Sequence, residues 1–110
     1  MVVTRKELKA QEVELVVHTN LNDDSVTEFR SSVYAELDQP NTLIMLNLEK
    51  VRSINSAALG AILLLQKKAR EKGIRICISK CNEELRKTLL AIRLDRIVEM
   101  PGEAPPTMQR

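Results

Sequence analysis

This sequence contains few aromatic residues, and neither sign of charge predominates. The 110-residue chain has one Phe, one Tyr and no Trp, and its 17 basic residues are interspersed with 15 acidic ones, which leaves a net charge of +2. Proteins that bind nucleic acid usually carry a basic stripe, often with aromatic side chains on which bases stack. The composition therefore argues against a nucleic-acid partner.

Long hydrophobic runs are also missing. The longest apolar stretch is residues 57–65, whereas a membrane-spanning helix needs about 20 apolar residues. The N-terminus mixes Arg5, Lys6, Glu7 and Lys9, without the apolar segment that a signal peptide requires. We therefore expect a cytoplasmic protein without membrane insertion.

Residues that carry enzyme chemistry are few. His18 is the only histidine, and it lies in a predicted strand with no evident Ser or Cys partner. Cys77 and Cys81 together with one histidine do not make up a zinc site, and we interpret Cys77 as a small buried side chain of a strand. The three glycines are too scattered to form a phosphate-binding loop. We predict that the protein is not an enzyme and uses no metal ion or cofactor.

The overall composition is that of one folded domain. Apolar residues make up 44% of the chain and charged residues 29%, which is typical of a globular protein of this length. Residues 101–110 contain three prolines and one glycine and show no apolar periodicity. We predict a single domain over residues 1–100, followed by a flexible C-terminal tail over residues 101–110.

Several segments have the hydrophobic patterns of β-strands. Residues 12–18 and 74–78 alternate between apolar and polar side chains, which predicts strands with one buried face. Residues 42–48 are almost continuously apolar, as in a central strand buried on both faces. Weaker patterns indicate an antiparallel edge strand over residues 3–8 and a short last strand over residues 96–100.

Three amphipathic segments lie between these strands and predict helices. The second helix begins at Ser56 and ends at Gly73, and the third begins at Asn82, a favourable N-cap. The apolar stripes of the first and third helices are Val26, Phe29, Val33 and Leu37, and Leu85, Leu89 and Ile92. The alternation predicts an α/β fold with a mixed β-sheet of four to five strands and helices mainly on one face.

The most distinctive segment is residues 46–60, where a buried strand runs through a loop into a helix that begins near a serine. The helix opens with the sequence Asn55-Ser56-Ala57-Ala58-Leu59-Gly60. This segment resembles the signature of STAS domains, especially the small bacterial anti-sigma factor antagonists, in which Asp-Ser-Ser/Ala-Gly/Ala-Leu-Gly opens a helix after a strand. The order of elements matches as well over residues 5–99, so the resemblance implies the STAS fold.

The resemblance also implies a function. In that family a partner that is both a serine kinase of the GHKL type and an anti-sigma factor phosphorylates the serine, which releases the two proteins from each other, and a PP2C-type phosphatase resets the switch. By position, Ser56 is the implied phosphoacceptor of a regulator of transcription. The implied partner-binding residues are Asn22, Asp23, Asn55, Ser56, Ala57, Ala58, Leu59 and Gly60.

Physical chemistry is compatible with a phosphate at this position. The N-terminus of a helix offers free backbone N–H groups and the positive end of the helix dipole. A phosphate there adds about −1.5 to −2 charges to a small, neutral surface. We therefore expect phosphorylation of Ser56 to change the surface without unfolding the domain.

Other interpretations stay open at this stage. Ser56 could act only as the N-cap of its helix, and Ser53 is a second potential acceptor in the preceding loop. Asn55 stands where the family pattern has Asp. The chain could instead be a non-phosphorylated STAS subunit of a lipid-transport ABC system, or a binder of a small ligand such as a nucleotide.

Overall fold

Four strands form one mixed sheet, and their order in the sheet follows their order in the chain. The computed structural model describes residues 1–103. The strands are β1 (Val3–Lys9), β2 (Glu12–Val17), β3 (Leu43–Leu48) and β4 (Arg75–Cys81). The helices are α1 (Val26–Ala35), α2 (Ser56–Glu71) and α3 (Glu83–Ala91), with single 3-10 turns at Glu36–Asp38 and Leu94–Arg96.

The direction of the strands brings several loops to one edge of the sheet. β1 pairs with β2 in an antiparallel arrangement through a turn at Gln11, whose φ of 66° is left-handed. β2, β3 and β4 are parallel, so the carboxyl ends of all three lie at the same edge. The predicted mixed sheet with an antiparallel edge strand is therefore confirmed.

The hydrophobic core lies between the helices and one face of this sheet. Leu15, Leu46 and Ile78 occupy one row of the register, and all three are buried. They share one core cluster with the buried side chains of the three helices. The opposite face carries half-buried or polar side chains, among them Glu14 and Ser79, which are joined by a 3.1 Å hydrogen bond. The predicted placement of the helices on one face is confirmed.

The edge strand β1 is tied to the helical layer by a buried carboxylate. Glu36 is only 5% exposed, and its carboxylate accepts hydrogen bonds from Arg5 Nε at 2.8 Å and from Asn41 Nδ2 at 3.0 Å. The hydrogen bond to Glu36 raises the pKa of the Arg5 guanidinium above its ordinary value. A charge in this position is compatible with burial because it is both paired and hydrogen-bonded.

Helix α2 ends where the sequence predicted it would. Gly73 has a φ of +75°, its N–H donates to the carbonyl of Arg70, and the N–H of Ile74 donates to the carbonyl of Ala69. This is the Schellman motif, in which glycine adopts the left-handed conformation without steric cost. Among the helices of residues 1–103, none is long and apolar enough to cross a membrane.

Two predictions near the end of the domain are wrong. Residues 96–100 do not form a strand, because a 3-10 turn occupies Leu94–Arg96 and only an isolated bridge joins Glu99 to Cys77. Ile92 is 48% exposed instead of lining α3. The helix ends at Ala91, and the left-handed residue Arg93, with a φ of 65°, turns the chain there.

The chain beyond the last 3-10 turn returns to α3. Arg86 Nε donates to the carbonyl of Pro101 at 3.4 Å, and the Arg86 guanidinium also pairs with the carboxylate of Glu103. From residue 104 onward, the predicted flexible tail of residues 101–110 lies outside the described residues.

Candidate functional site

Ser56 is the first residue of α2, and Asn55 is the cap. Asn55 has extended backbone angles, and its Oδ1 accepts a hydrogen bond from the backbone N–H of Ala58 at 2.8 Å. The interpretation of Ser56 as a mere N-cap is therefore wrong. Ser56 is exposed, and the capping hydrogen bond of α2 is made by Asn55 instead of the Ser56 hydroxyl.

The start of α2 is electrostatically suited to an anion. Its first turn contains no acidic side chain, although acidic residues are common in that position because they offset the helix dipole. The first backbone N–H groups of any helix lack partners within the helix. A negative charge on Ser56 would therefore meet the positive end of the dipole without a competing carboxylate in the same turn.

Two loops at the carboxyl edge of the sheet are joined to form one surface. The first loop, residues 18–25, follows β2, and the second loop, residues 49–55, follows β3. Leu21 donates to the carbonyl of Ser53 at 3.0 Å and accepts from the N–H of Asn55 at 2.8 Å, forming a short parallel bridge. Asn20 Oδ1 accepts from the backbone N–H groups of Arg52 and Ser53 at 2.7 and 3.3 Å.

Asn82 supports the second loop from the other side. Its Nδ2 donates to the carbonyls of Val51 and Glu49 at 2.7 and 3.2 Å, while its Oδ1 accepts from the N–H of Leu85 at 2.9 Å. One side chain thus caps α3, as predicted, and also fixes the loop that leads to Ser56. The second of these roles was not predicted.

Replacing Asn82 with Ala is expected to lower the free energy of unfolding by about 2–3 kcal/mol, since the change removes a cap and leaves loop carbonyls without their donor. Asn82→Asp is the matched control, because it keeps the side-chain shape and the capping oxygen and replaces the donor with a charged oxygen. Urea unfolding should place the Asp variant between wild type and the Ala variant. An Asp variant as stable as wild type would contradict a separate role for the amide N–H groups.

A further hydrogen bond joins the two loops directly at the predicted site. Asn55 Nδ2 donates to Asp23 Oδ1 at 3.0 Å. Asp23 is held in a local turn in which Asn22 Oδ1 accepts from the backbone N–H of Asp24 at 3.0 Å, and Ser25 Oγ donates to the carbonyl of Asn20 at 2.7 Å. The structure therefore brings Asn22 and Asp23 to the start of α2.

The predicted partner-binding residues differ in their accessibility. The exposed ones are Asn22, Asp23, Ser56, Ala57 and Gly60, and the partly buried ones are Asn55 and Leu59. Ala58 is 0% exposed and packs in the core beneath α2, so its side chain offers no surface to a partner. Beyond Gly60 the exposed side of α2 continues with Leu63 and Leu64.

The histidine and the two cysteines make no hydrogen bond to Ser56 among the described residues. His18 follows β2 instead of lying within it, is exposed, and has its Nε2 2.7 Å from Thr4 Oγ1. Cys77 lies in β4 and, like Cys81, is only half-buried; burial raises the pKa of both thiols. Within residues 1–103, no cluster of three or more metal-ligating side chains is found.

Comparison with known proteins places this geometry in a family. The STAS domain model matches residues 7–107 of the chain. No curated protein matches it in sequence. Among solved structures, a Thermotoga maritima protein described as a candidate anti-sigma factor antagonist is 29% identical, with a TM-score of 0.79 over 89% of this chain and 84% of that one.

Two structures of one anti-sigma factor antagonist share the fold. SpoIIAA in its unphosphorylated form has a TM-score of 0.75 at 17% identity, over 92% of this chain and 89% of that one. The phosphorylated form of the Bacillus protein has a TM-score of 0.69 at 17% identity, over 92% of both chains. The predicted α/β fold with helices on one face is confirmed by these likenesses.

Proposed function

The chain belongs to the STAS domain family, and from that premise we propose that it is a partner-switching regulator of the anti-sigma factor antagonist type. In its unphosphorylated form it binds a serine kinase that is also an anti-sigma factor. Phosphorylation at Ser56 releases it. The structural neighbours that carry the name anti-sigma factor antagonist support this proposal.

The observation that carries the proposal is the division of labour between Asn55 and Ser56. Asn55 takes the capping hydrogen bond, so a phosphate on Ser56 would leave the helix start intact. Ser56 is exposed next to a first turn without acidic residues. An acceptor with these properties can be modified without unfolding, while its surface charge changes by about −1.5 to −2.

The proposed partners follow from the same site. A GHKL-type kinase would contact the exposed residues of the two loops and of the first turns of α2, and a PP2C-type phosphatase would remove the phosphate in the cytoplasm. Ala58 takes part through packing alone, because it is buried. The chain itself would supply no catalytic group, and its role would be that of a substrate and a ligand.

Phosphorylation in a native lysate supplied with ATP tests the proposal. We expect mass spectrometry to find phosphate on Ser56, none on the Ser56→Ala variant, and an unchanged amount on Ser56 in the Ser53→Ala variant. Ser53 is the matched control because it is also exposed and lies three residues away, whereas its backbone is held by Asn20 and Leu21. Phosphate on Ser53 alone, or none at all, would overturn the assignment of Ser56.

A further inference from the structure

Asn55 uses both ends of its side-chain amide. Its Oδ1 starts α2 by accepting from Ala58 N–H at 2.8 Å, and its Nδ2 donates to Asp23 Oδ1 at 3.0 Å. An aspartate at position 55 could provide the capping oxygen as well as asparagine does. It could not donate to Asp23, and it would place a second carboxylate against the first.

Positions 23 and 55 are therefore complementary as hydrogen-bond acceptor and donor. The pair contains one carboxylate and one amide, and the hydrogen bond between them is charge-assisted, which makes it stronger than a neutral one. The bond joins a helix start to a loop on a different strand, whereas the other bonds between the loops involve Asn20 and Leu21. The segment 22–24 thus depends on Asp23 for its attachment to Asn55.

A phosphate on Ser56 would disturb this arrangement. Ser56 is the direct neighbour of Asn55 in the chain, so the phosphate would stand on the residue next to the one whose amide binds the Asp23 carboxylate. Both groups are on exposed residues. The phosphate would repel the Asp23 carboxylate. It would also compete with that carboxylate for the side-chain N–H groups of Asn55.

We propose that phosphorylation of Ser56 opens the Asp23–Asn55 hydrogen bond and releases segment 22–24 from the second loop. This inference rests on the proposed function, since it describes how the modified site is read. A partner that contacts both loops would then lose its contacts with Ser56 and with segment 22–24 in one phosphorylation event. The bonds of Asn20 and Leu21 would persist, so the change would stay local to segment 22–24.

Amide hydrogen exchange of the purified protein, followed by NMR, tests the inference without any kinase. In Ser56→Glu, the N–H of Asp24 is expected to exchange about twofold to fivefold faster than in wild type, the size of effect that an exposed electrostatic contact produces. Ser56→Gln, which has the same shape and no charge, should leave the rate unchanged. Raising the salt to 1 M should suppress the effect, because the Debye length then falls to about 3 Å.

Variants of the two residues that form the hydrogen bond, Asp23 and Asn55, complete the test. Asp23→Asn keeps an acceptor oxygen for Asn55 and removes the charge, so Ser56→Glu should have no effect on the exchange rate in that background. Asn55→Asp alone should speed exchange at Asp24, and adding Asp23→Asn should restore it. Equal rates in Ser56→Glu and Ser56→Gln, or faster exchange that persists in the Asp23→Asn background, would overturn the inference. A positive result here with no phosphate on Ser56 in the lysate would overturn the proposed function alone.

Discussion

Replacing Ser56 with Glu is expected to weaken the binding of the proposed kinase about a thousandfold, which corresponds to about 4 kcal/mol. The reason is the cost of burying a charge that finds no partner in an interface built around a small neutral residue, which amounts to several kcal/mol. The Gln side chain of the Ser56→Gln variant has nearly the same volume as Glu but carries no charge. Its loss of affinity should be much smaller and should report the effect of size alone.

The measurement is capture from native lysate with three baits: wild type, Ser56→Gln and Ser56→Glu. A serine kinase should be recovered by the first two and lost by the third, and its affinity can then be measured with the purified partner. Folding provides an independent check, because an acidic side chain in the first turn of α2 should stabilise the helix by about 0.3–1 kcal/mol. Opening the Asp23–Asn55 hydrogen bond costs a similar amount, so Ser56→Glu and Ser56→Gln should unfold at nearly the same urea concentration.

Three outcomes would contradict this prediction or its explanation. Recovery of the kinase by all three baits would show that the charge of residue 56 does not control the interaction. Recovery of a transporter ATPase equally by all three baits would instead indicate the non-phosphorylated STAS subunit of a lipid-transport system. A less stable Ser56→Glu variant would show that the binding loss has a structural origin.

The regular part of the fold could be predicted from the sequence because its patterns are local. The alternation in β2 and the continuous apolar run of β3 each reflect how many faces of the strand are buried. The end of α2 and the start of α3 were predicted from Gly73 and Asn82, whose capping hydrogen bonds to Arg70 and Leu85 are local in the chain. Such patterns predict the structure well, because the buried face of a strand or helix follows the same periodicity as the apolar residues in the sequence.

The end of the domain could not be predicted in the same way. Ile92 continues the helical stripe of Leu85 and Leu89, but the helix stops one residue before it. The stop depends on Arg93 in a left-handed conformation, which the residue type does not signal. Val98 and Met100 are buried in the core. The hydrophobic pattern of residues 96–100 therefore predicted burial correctly, but the strand that it also predicted does not form.

Only part of the geometry around the proposed site could be predicted from the sequence. The motif located Ser56 and its neighbours, and the order of the strands explains why Asn22 and Asp23 lie beside them. Asn20 and Asn82 were missed as supports, because their partners in the second loop are separated from them by about 30 residues. An asparagine directly after a strand or before a helix is the only local signal, and it is shared with many ordinary loops.

Replacing Leu21 with Ala is expected to lower the free energy of unfolding by about 2–5 kcal/mol and to loosen the site as well. Leu21 is 1% exposed, so the change removes core contacts and leaves a cavity, which accounts for the loss of stability. The same residue holds the backbone groups of Ser53 and Asn55. We therefore expect its side chain to anchor the first loop against the second.

Leu65→Ala is the matched control for this prediction. Leu65 is 0% exposed in the same core cluster, and the same atoms are removed, but it lies more than two turns into α2 and makes no hydrogen bond to either loop among the described residues. Urea unfolding should show comparable losses for the two variants. Hydrogen exchange should separate them: the N–H of Asn55, which donates to Leu21, should exchange by local opening in Leu21→Ala and only with global unfolding in Leu65→Ala. If both variants exchange this amide at rates that follow their global stability, the first loop is held by its hydrogen bonds alone, and Leu21 is an ordinary core residue.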